Sequence, residues 1–108
     1  MSPSAKKNMV FDTSISIGEF DPSVDGAYRN VKTFPLNVKK GELFISVNSD
    51  KPVDIAVSNS DGICIKFKES ILCDTIGPIE TVKKETMALI VGTFRGDKAE
   101  LRIEAWMG

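Results

Sequence analysis

Leu43-Phe44-Ile45-Ser46-Val47-Asn48-Ser49-Asp50-Lys51-Pro52-Val53-Asp54-Ile55-Ala56-Val57 is the stretch whose reading decides the fold. Leu43, Ile45 and Val47 recur at a spacing of two, and Val53, Ile55 and Val57 repeat it, which is the period of half-buried strands and not of helices. Between the two runs, Asn48 to Pro52 is dense in residues that bend a chain through fixed φ or side-chain hydrogen bonds, and it reads as a turn. Upstream, Lys39-Lys40-Gly41-Glu42 reads as the turn that brings in a preceding strand, so that 39–42 and the strands around it form a hairpin.

The same period extends outward on both sides. Val10 to Ile17 alternates Ile15 and Ile17 with Ser14 and Ser16, and Asp21 to Gly26 reads as a loop. Tyr28 to Val38 places Phe34, Leu36 and Val38 on one face. Pro35 cannot donate a ladder hydrogen bond, so this strand lies at an edge or breaks there. Downstream, Asn59-Ser60-Asp61-Gly62 carries the Asp-Gly pair of a tight hairpin, and Ile63, Ile65 and Phe67 continue the alternation against Cys64, Lys66 and Lys68. Residues 69–86 are ambiguous, because Ile79, Val82, Thr86 and Leu89 also fit a helical spacing behind Pro78. A sequence echo favours strands: Val38-Lys39-Lys40 and Val82-Lys83-Lys84 each precede two linking residues and an apolar run ending in valine, at Val47 and Val91. The chain closes with Thr86 to Phe94, a turn at 95–98, and Ala99 to Trp106 with Leu101 and Ile103 facing one way.

These elements predict an all-β fold: an antiparallel β-sandwich of seven or eight strands, jelly-roll or immunoglobulin-like. Residues 1–8 form a flexible N-terminal segment and 9–108 a single domain. The expected core is Ile15, Ile17, Phe34, Leu36, Val38, Leu43, Ile45, Val47, Val53, Ile55, Val57, Ile65, Phe67, Leu89, Val91, Leu101 and Ile103. Among 108 residues, 42% hydrophobic against 27% charged is enough apolar material for one such core without a metal or a disulfide framework.

Composition removes several functions. The chain has no histidine, so serine–histidine and cysteine–histidine nucleophile systems and imidazole metal sites are excluded. Fourteen basic against fifteen acidic residues give a net charge of −1 and no electrostatic case for nucleic acid. The longest apolar run, Met87 to Val91, is far short of the roughly 20 residues of a membrane helix, so no membrane insertion is expected. The polar start lacks the apolar segment of a secretory signal, which leaves the chain cytoplasmic, or extracellular if an export signal was removed. Cys64 and Cys73 read as two small buried or half-buried thiols, with Cys64 placed on the outer side by parity, or as one bridge in an oxidising compartment.

Four features are candidates for recognition. Arg95-Gly96-Asp97 matches an integrin-type tripeptide and equally a hairpin turn. Trp106 is the one ring offered as a contact, against its reading as a core or sheet tryptophan. Asp50, Asp54, Asp61, Asp74 and Asp97 lie near turns but lack the spaced loop that converges oxygens on calcium. The lysines at 39, 40, 51, 66, 68, 83 and 84 interleave with Glu42, Glu69, Glu80 and Glu85 as a mixed surface. No catalytic, cofactor or metal residue is assigned.

Phe34 to Ile55, with its Lys/Gly turn, alternating strand and Ser49-Asp50-Lys51-Pro52-Val53-Asp54 turn, resembles the pre-peptidase C-terminal modules of secreted prokaryotic proteins, and more distantly GOLD-like domains. The chain departs from that pattern at Glu85-Thr86-Met87-Ala88, where the modules carry a Gly-Thr-Tyr-Tyr-like segment. The resemblance implies a non-catalytic binding or accessory module for a protein or polysaccharide partner, and no functional residue carries over. The alternative is a structural subunit that forms homo-oligomers through a sheet edge, either the strand interrupted by Pro35 or the terminal strand. Because each buried Ile or Val contributes roughly 1.5–3 kcal/mol, Ile45→Asp should abolish the cooperative thermal melt; a variant that keeps it would show the register to be wrong.

Overall fold

The computed structural model describes residues 8–17, 29–94 and 98–108. These residues form six antiparallel strands and no helix: β1 (Met9–Ile17), β2 (Arg29–Val38), β3 (Gly41–Ser58), β4 (Cys64–Thr81), β5 (Glu85–Phe94) and β6 (Ala99–Met107). The all-β, antiparallel class follows from the spacing of two. The strand count differs, because β3 and β4 are 18 residues each: β3 runs through 48–52, which reads as a turn, and β4 runs into the ambiguous stretch that begins at 69.

The sheet has the order β1-β6-β3-β5-β2, with β4 paired to the remaining edge of β3. Residues Leu43 to Ser49 of β3 pair with β6, whereas Asp54 to Ser58 pair with β5. The two partners are separated by a corner and not by a turn. From Asn48↔Cys73 to Val53↔Ile71, β3 advances five residues while β4 retreats two. Ser49 Oγ donates to the Lys51 carbonyl at 2.6 Å, and Asp50 Oδ1 accepts from the Glu100 N–H at 2.9 Å, so the polar residues of 48–52 serve a bend.

β4 bends at the same level. Ser70 has φ 54°, and its N–H donates to Asp54 Oδ1 at 3.0 Å. Six residues of extended strand span about 20 Å. Lys68 Nζ nevertheless lies 2.8 Å from Asp74 Oδ2, so the two arms of β4 turn towards each other. The sheet is thereby folded into two halves, one of β1, β6, early β3 and late β4, the other of β2, β5, late β3 and early β4. On the opposite side β1 and β2 face one another without pairing, and Phe11 meets Phe34 with ring centroids 5.2 Å apart.

The core lies between the halves. Leu36, Leu43, Ile45, Val47, Val57, Leu89, Val91 and Ile103 are fully buried, as expected. Ile15 and Phe34 are only half-buried against that cluster. Two expected core residues are outside it altogether: Ile65 is 38% and Phe67 54% exposed. Residues 69–86 are strand, turn and strand, and they supply Ile71, Ile76, Ile79 and Met87 to the core. β6 is interior, paired on both sides, so the edge strands among the described residues are β1, β2 and β4 and not the terminal strand. β2 ends the sheet, as Pro35 requires. Both cysteines are free and exposed, which corrects the expectation of half-buried thiols. No helix among the described residues is long and apolar enough to cross a membrane.

Gly77 carries a further irregularity of β4. Ile45 opposes Ile76 and Leu43 opposes Ile79, so one extra residue is accommodated here, at φ 132°. A Cβ at Gly77 would stand 2.7 Å from the Leu43 carbonyl oxygen, whereas one at Gly62, φ 82°, meets nothing within 4 Å. Gly77→Ala should therefore destabilise by about 3 kcal/mol, strain and overlap together, and Gly62→Ala by about 1 kcal/mol from backbone conformation alone. Urea unfolding of both variants checks this; equal losses would contradict the close approach at Gly77.

Candidate functional site

Residues directly opposite in an antiparallel ladder share a face. Thr33 opposes Ile90, Ile90 opposes Ala56, and Ala56 opposes Phe67, so these four form a row across β2, β5, β3 and β4. Their strand neighbours Leu89, Val57 and Ile55 point into the core, so the row lies on the outer face of the second half-sheet. A parallel row runs Pro35, Ala88 and Ser58, and a third runs Val31, Gly92 and Asp54.

This outer face is apolar. Val31 is 46% exposed, and Ile65 and Phe67 extend the apolar surface on β4. Ile90, Ala88 and Ala56 are half-buried on it. The three rows hold one charged side chain, Asp54, whose Oδ1 accepts from the Ser70 N–H at 3.0 Å. Below the middle row a depression of about 410 Å³ opens between Pro35, Ala88, Ser58 and the Asn59–Gly62 loop. That loop is fixed by Asn59 Oδ1, which accepts from the N–H groups of Asp61 and Ile63 at 3.0 Å each. Glu85 Oε1 accepts from Ser60 N–H and Oγ–H at 3.0 and 2.7 Å, and these bonds hold the Glu85 carboxyl below the ordinary range. The surface is thus a flat apolar sheet with one braced concavity, the form that accepts an apolar anchor from a partner.

The side chains that alternate with Ile65 and Phe67 explain their placement. Lys66 opposes Val57 and Lys68 opposes Ile55, so the lysines occupy the inward side of an edge strand. Lys68 bridges the halves to Asp74 at 2.8 Å, and Lys66 is exposed. Inward charges on an edge are a device that hinders pairing with another strand.

Of the predicted contact residues, Trp106 lies on the other half-sheet, half-buried and stacked on Phe44 with centroids 5.7 Å apart. It does not join the apolar face. Arg95 and Asp97 lie outside the described residues. The turn aspartates act as hydrogen-bond acceptors at Asp50, Asp54 and Asp74, and no group of three or more acidic or thiol side chains converges among the described residues. Arg102 is forked onto Asp12 across β1 and β6, with Nε–Oδ1 3.3 Å and Nη2–Oδ2 3.1 Å, and Asp12 raises its pKa further.

Period alone assigns Ile65 and Phe67 to the core, and so conceals the apolar face. Two signals in the sequence point outward. An Asp61-Gly62 hairpin sets Val57 opposite Lys66, which puts the apolar residues of β4 on the face of Ala56. Ala88 to Gly92 is apolar on both faces, a pattern of strands covered on two sides. A scan against protein-family models gives no match to this chain, and a search of curated proteins gives none either.

The Lys68 hydrogen bond and the Thr75 N–H hold the Asp74 carboxyl below its ordinary value. A depressed folded pKa means that the ionised carboxylate stabilises the fold above about pH 4, the unfolded value, and that this contribution is lost as pH falls through the folded value. Lys68→Met should lower the melting temperature at pH 7, raise the Asp74 pKa in an NMR titration, and converge on the parent in strong acid. An unchanged Asp74 titration would remove the ion pair from the account.

Proposed function

We propose that this protein is a non-catalytic binding module of jelly-roll architecture that recognises a protein partner through the outer face of β2, β5, late β3 and early β4. The architecture is supported by counting each half of β3 and β4 as a strand. The order is then β1, β6, β3 first half, β4 second half in one layer, and β2, β5, β3 second half, β4 first half in the other. A long hairpin folded over itself, with its eight strands divided in this way between two sheets, is the arrangement of a jelly roll. The least molecular dimension, 19 Å, accommodates two sheets about 10 Å apart.

The observation that carries the reading is the uncharged row Thr33, Ile90, Ala56 and Phe67, in a chain of which 27% is charged. A protein partner fits it better than a polysaccharide, because sugar platforms need clustered rings and the described part of this face offers Phe67 alone. The same reading keeps the resemblance to pre-peptidase C-terminal and GOLD-like modules, and with it an accessory role without catalysis.

Self-assembly through a sheet edge is favoured by one observation, the 18-residue outer edge of β4. Lys66 and Lys68 on its inward side oppose that pairing. A photoreactive residue at position 67, compared with one at Ser46 on the outer face of the other half, separates the readings in cells that make the protein. The expected result is one discrete adduct from position 67, absent from position 46 and lost when Ile65→Ser and Ile90→Ser are combined. Equal adducts from both positions would refute the binding face, and an adduct of twice the chain mass would replace it with assembly.

A further inference from the structure

The two Val-Lys-Lys segments lie 44 residues apart in sequence, and the fold brings both to one end. Lys39 and Lys40 connect β2 to β3, and Lys83 and Lys84 lie in the connection from β4 to β5. The last β2–β5 pair is Val38↔Glu85, so Lys39 and Lys84 leave the sheet side by side. Between them and the start of β1, where the β1–β2 seam opens below Phe11 and Phe34, lies a cleft of about 440 Å³. Met9, Val10, Val38 and Met107 line it with apolar surface. Val38 and Met107 are buried, and Met9 is 38% exposed.

Its polar lining divides into bonded and free groups. Thr86 Oγ1 donates to Asn37 Oδ1 at 2.9 Å, and Glu85 Oε1 is held by Ser60. Lys39 and Lys84 make no ion pair with a described residue. Two ammoniums against one carboxylate leave the rim with a net positive charge above an apolar floor. The volume is within the range of small-molecule sites, roughly 300–1,000 Å³, and methionine side chains adapt to the shape of an apolar guest.

We propose that this cleft binds a single-chain amphipathic carboxylate, its alkyl body against Met9, Val10, Val38 and Met107 and its head group between Lys39 and Lys84. The cleft adjoins the depression on the outer face, with Thr86 lining both, but it has its own floor, and its occupancy does not depend on that face having a partner. Charge complementarity selects the anion. The apolar floor selects the chain, because a small anion without one leaves that surface in water.

Decanoate is the probe, with decyltrimethylammonium and acetate as comparators, read by calorimetry and by NMR of ¹³C-methyl-labelled methionines. Decanoate should bind saturably and move Met9 and Met107 while leaving Met87, which is in the core of β5. Neither comparator should saturate. Lys39→Glu with Lys84→Glu should weaken decanoate by about tenfold or more, the loss of charge-assisted contacts. Lys40→Glu with Lys83→Glu, which changes net charge equally outside the cleft, should change it less than about threefold. Lys39→Gln with Lys84→Gln should lie between the parent and the double-glutamate variant, and all variants should keep the parent melt. Equal weakening by both glutamate pairs, equal binding of the ammonium, or shifts that leave Met9 and Met107 unmoved would each overturn the proposal.

Discussion

The structure depends on a corner that two strands make together. A hairpin of two 18-residue strands is too long to lie flat over a core of this size, and its bend has to occur in both strands at one level. β3 supplies the extra residues, from Asn48 to Val53, and β4 supplies Ser70 at φ 54°. A left-handed conformation costs a non-glycine residue roughly 1–2 kcal/mol. Asp54 offsets part of that cost by accepting the Ser70 N–H, and Asp50 ties the bend to β6 through Glu100. Every later pairing follows from the corner, because it lets one edge of β3 serve β6 first and β5 afterwards.

The same corner fixes which side chains face the core. In β3 the inward residues stay odd-numbered throughout, at 43, 45, 47 and again at 53, 55, 57, because the bend inserts an even number of positions. β4 changes parity three times between Lys66 and Thr81. Lys66 and Lys68 face inward before the bend, Ile71 is buried at it, Asp74 and Ile76 follow at even positions, and the Gly77 bulge returns Ile79 and Thr81 to odd ones. Thr81 is held there by the hydrogen bond of its hydroxyl to the Lys39 carbonyl. An edge strand that reverses its faces in this way presents apolar residues to solvent on one arm and to the core on the other.

That reversal sets the limit of what the sequence discloses. Strands of constant parity are legible from period alone, which is why β1, β2, β5, β6 and both arms of β3 were found. The spacings from Ile71 to Ile76 to Ile79 to Thr81 are five, three and two, and no single period describes them. Segment 48–52 is rich in turn residues because a corner needs the same side-chain-to-backbone hydrogen bonds as a turn. Composition cannot tell one from the other; the difference lies in whether the ladder with β4 resumes, which is a long-range property. The apolar face was partly legible, since hairpin register at Asp61-Gly62 assigns Phe67 to the side of Ala56. The cleft was not, because it joins residues from both termini and from two connections that only the folded sheet brings together.

Net charge is a poor guide to this surface for the same reason. A total of −1 averages a neutral sheet face with a lysine-bearing end, and at physiological salt a charge acts over about 8 Å. What a ligand meets is therefore the local arrangement and not the sum. Both inter-half connections at that end begin with Val-Lys-Lys, and each valine has a different environment: Val38 is 3% exposed and Val82 71%. A repeated packing role would have buried both. What the two segments share is the end of the molecule to which they bring their lysines, so the echo is accounted for by charge placement and not by a duplicated core.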